Sequence, residues 1–107
     1  VQVYEVLFLN GHMVVVMEYL RGGDLYDRLQ FRVMTEREAV DAALQLLSAL
    51  HHLHQFGIAH RDIKLENVVF ATLPSEKVQI IKLVDFGYAR RFRPDATATQ
   101  TCGTLNY

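Results

Sequence analysis

With 107 residues, half of them hydrophobic, a fifth charged and a net charge of -1, the chain has the composition of one small globular domain or part of one. That balance leaves no basic excess for a phosphate backbone, so nucleic acid is not an expected partner; apolar runs such as "MVVVM" fall far short of the ~20 residues that cross a bilayer, so no membrane segment is expected. The single cysteine, Cys102, cannot close an internal disulfide, which fits a reducing setting, and an intracellular, cytoplasmic location is expected.

The first two predicted elements are strands. "VQVYEVLFL" and "HMVVVMEYL" are rich in β-branched and aromatic residues, and Asn10-Gly11 between them suits a tight turn whose two residues take positive φ. Gly22-Gly23 interrupts the chain, and Asp24 is placed to cap a short helix through Leu25, Tyr26 and Leu29. "TERE", residues 35–38, offers a capping box between Thr35 and Glu38. In the long helix that follows, Val40, Leu44, Leu47, Leu50 and Leu53 form one apolar stripe, expected to be core, and Gly57 supplies a stop. Asp27, Glu36 and Asp41 are expected on solvated faces. "VVFA" and "VQIIKLV" read as two strands around a "TLPSEK" turn, and from Tyr88 onward a polar tail with Pro94 and four threonines reads as a loop. There is no internal repeat, and a start inside a strand, without methionine, suggests a fragment.

Between the long helix and these strands lies "AHRDIKLENVVF", residues 59–70, with His60, Arg61, Asp62, Lys64, Glu66 and Asn67 inside eight positions. His60-Arg61-Asp62 and Asn67 fit the pattern H-R-D-x-x-x-x-N, and "DFG", Asp85 to Gly87, follows eighteen residues after Asn67. Four fixed letters arise by chance in a chain of this length less than ~1 time in 1,000, and the ordered second motif lowers that further. As separate residues, Asp62, Asn67 and Asp85 would read as a capping acid, a turn amide and a strand-end acid. Transfer of a γ-phosphoryl group needs little covalent help from a protein and much positioning and charge neutralisation, which an acid, an amide and a cation provide.

On these motifs the chain resembles the eukaryotic protein kinase family over essentially all of its length. The resemblance implies an α+β, protein-kinase-like two-lobed fold, seen from the last small-lobe hairpin through the activation segment. Residues 1–107 would be a partial kinase domain, with 1–20 the small-lobe hairpin and hinge and 21–107 a portion of the large lobe. It implies ATP and Mg2+ as cofactors and a protein as substrate. Asp62 would orient the attacking hydroxyl and accept its proton, and Lys64 would neutralise the moving phosphate. Asn67 and Asp85 would be hard oxygen ligands for the metal. His60 would pack on Phe86, and Arg61 would face the activation segment. At the adenine end Met17 would be the gatekeeper, the Glu18 carbonyl and Leu20 N–H would meet the base edge, Asp24 the ribose, and Val69 the underside of the purine. Glu66 and Thr104 would bind substrate, Glu66 favouring a basic residue.

Lys64 points to serine/threonine specificity, Tyr88 to serine over threonine, and "IKLVDFGYAR" with "CGTLNY" is most similar to the calcium/calmodulin-dependent group. Leu65 stands where proline is common, Leu105 where proline is usual in the substrate-facing loop, and Gln100 where many relatives have a phosphorylatable threonine; Thr97, Thr99 and Thr101 are neighbouring candidates, Thr99 and Thr101 being taken as regulatory. No lysine precedes Lys64 and no G-x-G-x-x-G occurs, so the glycine lid and strand lysine would lie before Val1, and the isolated chain is expected to be inactive. The alternative is a truncated, catalytically inactive kinase-like module that binds or regulates a partner. A small-molecule phosphotransferase fits Asp62 and Asn67 but not Arg61, Lys64 and "CGTLNY". Zinc at His51, His52, His54 and His60 is disfavoured because no cysteine or carboxylate sits at ligand spacing. Arg90, Arg91 and Arg93 read as a salt-bridging flank of the tail rather than a recognition patch.

Overall fold

The computed structural model describes residues 1–92, so the expectations placed on Arg93, Thr97, Thr99, Gln100, Thr101, Thr104 and Leu105 fall outside the described residues. Strand β1 (Val3–Leu9) pairs antiparallel with β2 (His12–Met17), from Leu9 opposite His12 to Val3 opposite Met17. Asn10 and Gly11 take φ of 49° and 79°, the positive values the turn requires. The second strand ends before Glu18, although the Glu18 N–H still donates to the Gln2 carbonyl at 2.9 Å.

Helix α1 (Leu25–Phe31) begins where the Asp24 carboxylate accepts from the Asp27 N–H at 2.7 Å. Helix α2 (Glu36–Gln55) opens on the predicted capping box: the Glu38 N–H donates to the Thr35 hydroxyl, and the Thr35 N–H donates to the Glu38 carboxylate. Arg32 adds a two-pronged ion pair to Glu38 at 2.6 and 2.9 Å. Hydrogen bonding from Arg32, and next from the Thr35 backbone, holds the Glu38 carboxyl down to about 2. Gly57, at φ 64°, lets the chain turn out of the helix while its N–H donates to the His54 carbonyl at 2.9 Å.

The apolar stripe of α2 turns inward only at its C-terminal end, where Leu50 and Leu53 are half-buried. Val40, Leu44 and Leu47 are exposed, the latter two by about 60%. The packed face departs from the stripe in the first half of the helix and shares its last two residues, running through Ala42, Gln45, Leu46, Ala49, Leu50 and Leu53, of which Ala42 is buried and the rest half-buried. The helix is apolar over more than one face, so spacing alone did not settle which face turns inward. Gln45 explains the choice: its side chain donates to the Gln79 carbonyl and accepts from the Ile81 N–H, at 3.0 and 3.1 Å, fastening α2 to a strand edge.

That edge belongs to β5 (Ile81–Leu83), which pairs antiparallel with β4 (Val68–Phe70). The expected strand over residues 78–84 is thus only three residues long. Before it, one backbone bond from the Ala71 N–H to the Ile80 carbonyl continues the pairing, after which the Ile80 N–H goes to the Thr72 hydroxyl and the Gln79 side chain donates to the carbonyls of Leu73 and Glu76. A third two-stranded sheet pairs β3 (Ile58–Ala59) with β6 (Arg90–Arg91), the latter near the start of the stretch expected to be wholly loop. Arg90 and Arg91 are exposed strand residues and form no ion pair among the described residues.

Val68, Phe70, Leu83 and Ala42 form the buried apolar centre. Gly22 and Gly23 lie along the free edge of β4: the Gly22 N–H donates to the Phe70 carbonyl at 2.8 Å and the Phe70 N–H to the Gly23 carbonyl at 2.9 Å. A Cβ on Gly22 would sit 2.1 Å from the Thr72 carbonyl oxygen and 2.4 Å from the Phe70 Cβ, so only glycine fits this approach. Arg28 covers the junction, its guanidinium 3.4 Å from the Phe70 ring centroid while donating to the Gly22 carbonyl and the Gln79 side chain.

Candidate active site

The polar cluster occupies the connection from β3 to β4, where His60, Asp62 and Asn67 are 2%, 4% and 5% exposed. Such groups stay buried only when hydrogen-bonded, and each of the three is. The His60 Nε2 lies 2.9 Å from the Val84 carbonyl, and the Asp62 N–H donates to the His60 Nδ1 at 3.3 Å. Those partners assign the proton to Nε2, because a carbonyl can only accept and an N–H can only donate. The His60 ring also meets Phe86 edge-on, 4.9 Å between centroids.

The Asn67 amide nitrogen donates to the Asp62 carbonyl at 2.9 Å and to its carboxylate at 3.1 Å. This orients the amide and leaves its oxygen as the atom available to a cation. Asn67 is placed there by the 3-10 turn Leu65–Asn67, whose last residue runs directly into β4. Lys64 puts its ammonium 3.1 Å from the same Asp62 carboxylate. The hydrogen bond that Lys64 donates to Asp62 raises its pKa, with smaller contributions from Glu66 and Asp85. Leu65, where proline is common, leaves this geometry intact.

Asp85 joins from just beyond the end of β5. The Val84 N–H donates to the Asn67 carbonyl at 2.9 Å, which sets the end of β5 beside the amide. Asp85 itself is exposed and holds φ at 58°, and its Oδ1 accepts from the Gly87 N–H at 3.1 Å. Arg61 is the second strained residue of this corner, at φ 67°, and its Nε donates to the Tyr88 carbonyl at 2.7 Å. Non-glycine residues at positive φ are uncommon and gather where surrounding structure over-determines them. The oxygen donors here, an amide and a carboxylate, suit a hard divalent cation that keeps water and phosphate oxygens as further ligands.

The residues expected at the adenine end lie along one path. Met17 ends β2, Glu18 and Leu20 follow half-buried, and Asp24 bridges to Val69, bringing the expected ribose acid and the expected floor together. Sequence reasoning missed one contact: the Lys82 ammonium is 2.6 and 2.7 Å from the two carboxylate oxygens of Glu18. No motif carries that pair, since it depends on the register that sets Lys82 opposite Val69. Elsewhere, His52 packs on Phe56 and His54 on Phe92.

The protein kinase domain family model matches residues 1–107. Over the whole chain the sequence is 33% identical to a probable myosin light chain kinase of Dictyostelium discoideum, 38% to MAP kinase-activated protein kinase 2 of Oryctolagus cuniculus, and 37% to NUAK family SNF1-like kinase 2 of Rattus norvegicus. The chain spans 27%, 30% and 16% of the lengths of those relatives. With its mixed helices and short sheets, and with both motifs meeting at one corner, the chain belongs to the protein kinase domain family.

Proposed function

We propose that the chain is part of a serine/threonine protein kinase that transfers the γ-phosphoryl group of ATP to a protein hydroxyl, and that residues 1–20 and 21–107 belong to the small and large lobes of a two-lobed domain. The observation that carries this reading is the contact set of buried Asp62 and Asn67 with half-buried Lys64, and Asp85 two residues past the end of the adjoining strand. Asp62 orients the substrate hydroxyl and takes its proton as the oxygen–phosphorus bond forms and ADP leaves. Lys64 neutralises charge on the transferring group and, through its contact with the carboxylate, steadies Asp62. Asn67 and Asp85 hold Mg2+, which when bound neutralises the phosphate oxygens. Met17, Glu18, Leu20, Asp24 and Val69 accommodate the nucleoside, and Glu66 faces a basic substrate residue. Arg61, held against the Tyr88 carbonyl, is the cation that a phosphate on Thr99 or Thr101 would pair with.

The test is phosphate transfer from radiolabelled ATP to serine and threonine peptides by the full-length protein. Asp62→Asn should lower kcat by about 10²–10⁴-fold while Mg-ATP binding persists. Full-length protein that binds nucleotide without transferring phosphate would replace this reading with the regulatory module.

A further inference from the structure

We propose that Lys82 is a positioning residue for the nucleotide: its ion pair with Glu18 fixes the chain that meets the adenine edge at a set height above the Val69 floor. The inference rests on the kinase reading given above and concerns the same cleft. Val69 and Lys82 are direct partners across β4 and β5, and opposed residues of an antiparallel pair project to one face of the sheet. Lys82 therefore rises beside the floor residue and ends at both carboxylate oxygens of Glu18, 64 positions earlier in the chain.

Glu18 is held from the other side as well. Its backbone N–H donates to the Gln2 carbonyl, and its carboxylate accepts from the Gln2 N–H, so the residue is locked to the hairpin by two bonds and to the sheet by the ion pair. The path from Glu18 to Asp24 is pinned at its far end by the backbone bonds of Gly22 and Gly23 to Phe70. The Glu18 carbonyl and Leu20 N–H lie between these two anchors. Breaking the near anchor frees that end to lift from the floor, while the far anchor and the Asp62 cluster stay in place. Side-chain exposures of 33% for Lys82 and 18% for Glu18 leave the pair only partly screened by solvent. The lowered pKa of Glu18, caused first by the Lys82 hydrogen bond, agrees with a charged pair.

The experiment uses the full-length protein and compares wild type with Lys82→Met, which keeps the aliphatic stem beside Val69, with Glu18→Gln, and with the exchanged pair Glu18→Lys/Lys82→Glu. Each single variant should raise KM for ATP by about twofold to fivefold with kcat at saturating ATP unchanged, and the exchanged pair should recover most of the loss. Unchanged KM in both single variants overturns the proposal. So does a rise in kcat, which would make the pair a restraint on the cleft, or a parallel fall in kcat and Tm, which would make it structural. If wild type neither binds nor turns over ATP, the kinase reading fails and carries this inference with it; an active wild type with indifferent variants removes this inference alone.

Discussion

The corner formed by residues 58–70 and 81–87 and the ribbon of residues 3–17 solve opposite problems. In the corner, His60, Asp62 and Asn67 are withdrawn from water, and each is matched by a partner on the same short stretch or on the neighbouring strand. In the ribbon, Val3, Val6, Phe8, Met13, Val15 and Met17 lie exposed, Phe8 by 77%, and the outer face of α2 is similar. Directional bonds, some within residues 60–67 and some from those residues to Val84 and Tyr88, define the corner. Apolar burial is non-directional and needs a surface to meet.

The contrast can be broken most strongly at Phe70, whose ring underlies Arg28 and whose backbone bonds to both Gly22 and Gly23. Phe70→Ala should cost about 3–5 kcal/mol in urea unfolding of the 107-residue chain, losing core and cation stacking together. An intermediate effect is expected at the start of α2. Thr35→Ala should cost about 1 kcal/mol. Because the folded Glu38 carboxyl titrates below its ordinary value of 4.5, its stabilisation is complete above that pH and is lost as pH falls toward about 2. Glu38→Gln should flatten the acid limb of stability over that interval, read by circular dichroism. The smallest effects belong to the exposed faces, where Phe8→Ser and Leu44→Ser should each change the stability of this chain by no more than about 0.5 kcal/mol. Losses as large as that of Phe70→Ala would show that those faces are packed.

Much of the chain was legible because its signals are local. Asn10-Gly11, the Asp24 cap, the Thr35 and Glu38 box and the Gly57 stop each work through neighbours a few residues away, and all four form as the sequence suggested. The corner was legible too, since Asp62, Lys64 and Asn67 come from one stretch of six residues. What escaped depends on distance. Two-residue strands such as β3 and β6 have no periodicity to read, and the loop before β5 is governed by the side chains of Gln79 and Thr72 rather than by strand propensity. The inward face of α2 was set by Gln45, a polar residue that a hydrophobic count passes over.

The close approach at Gly22 has a mechanical consequence. Because the backbone at residues 22 and 23 is zipped along β4, a force drawn on the chain from its first residues does not pass straight into α1. It arrives first as shear on the paired amides of Gly22 and Phe70, with the Lys82 tether sharing the load. In a single-molecule pull the first event would therefore be the ribbon peeling away, and the strand edge beneath would yield only afterwards.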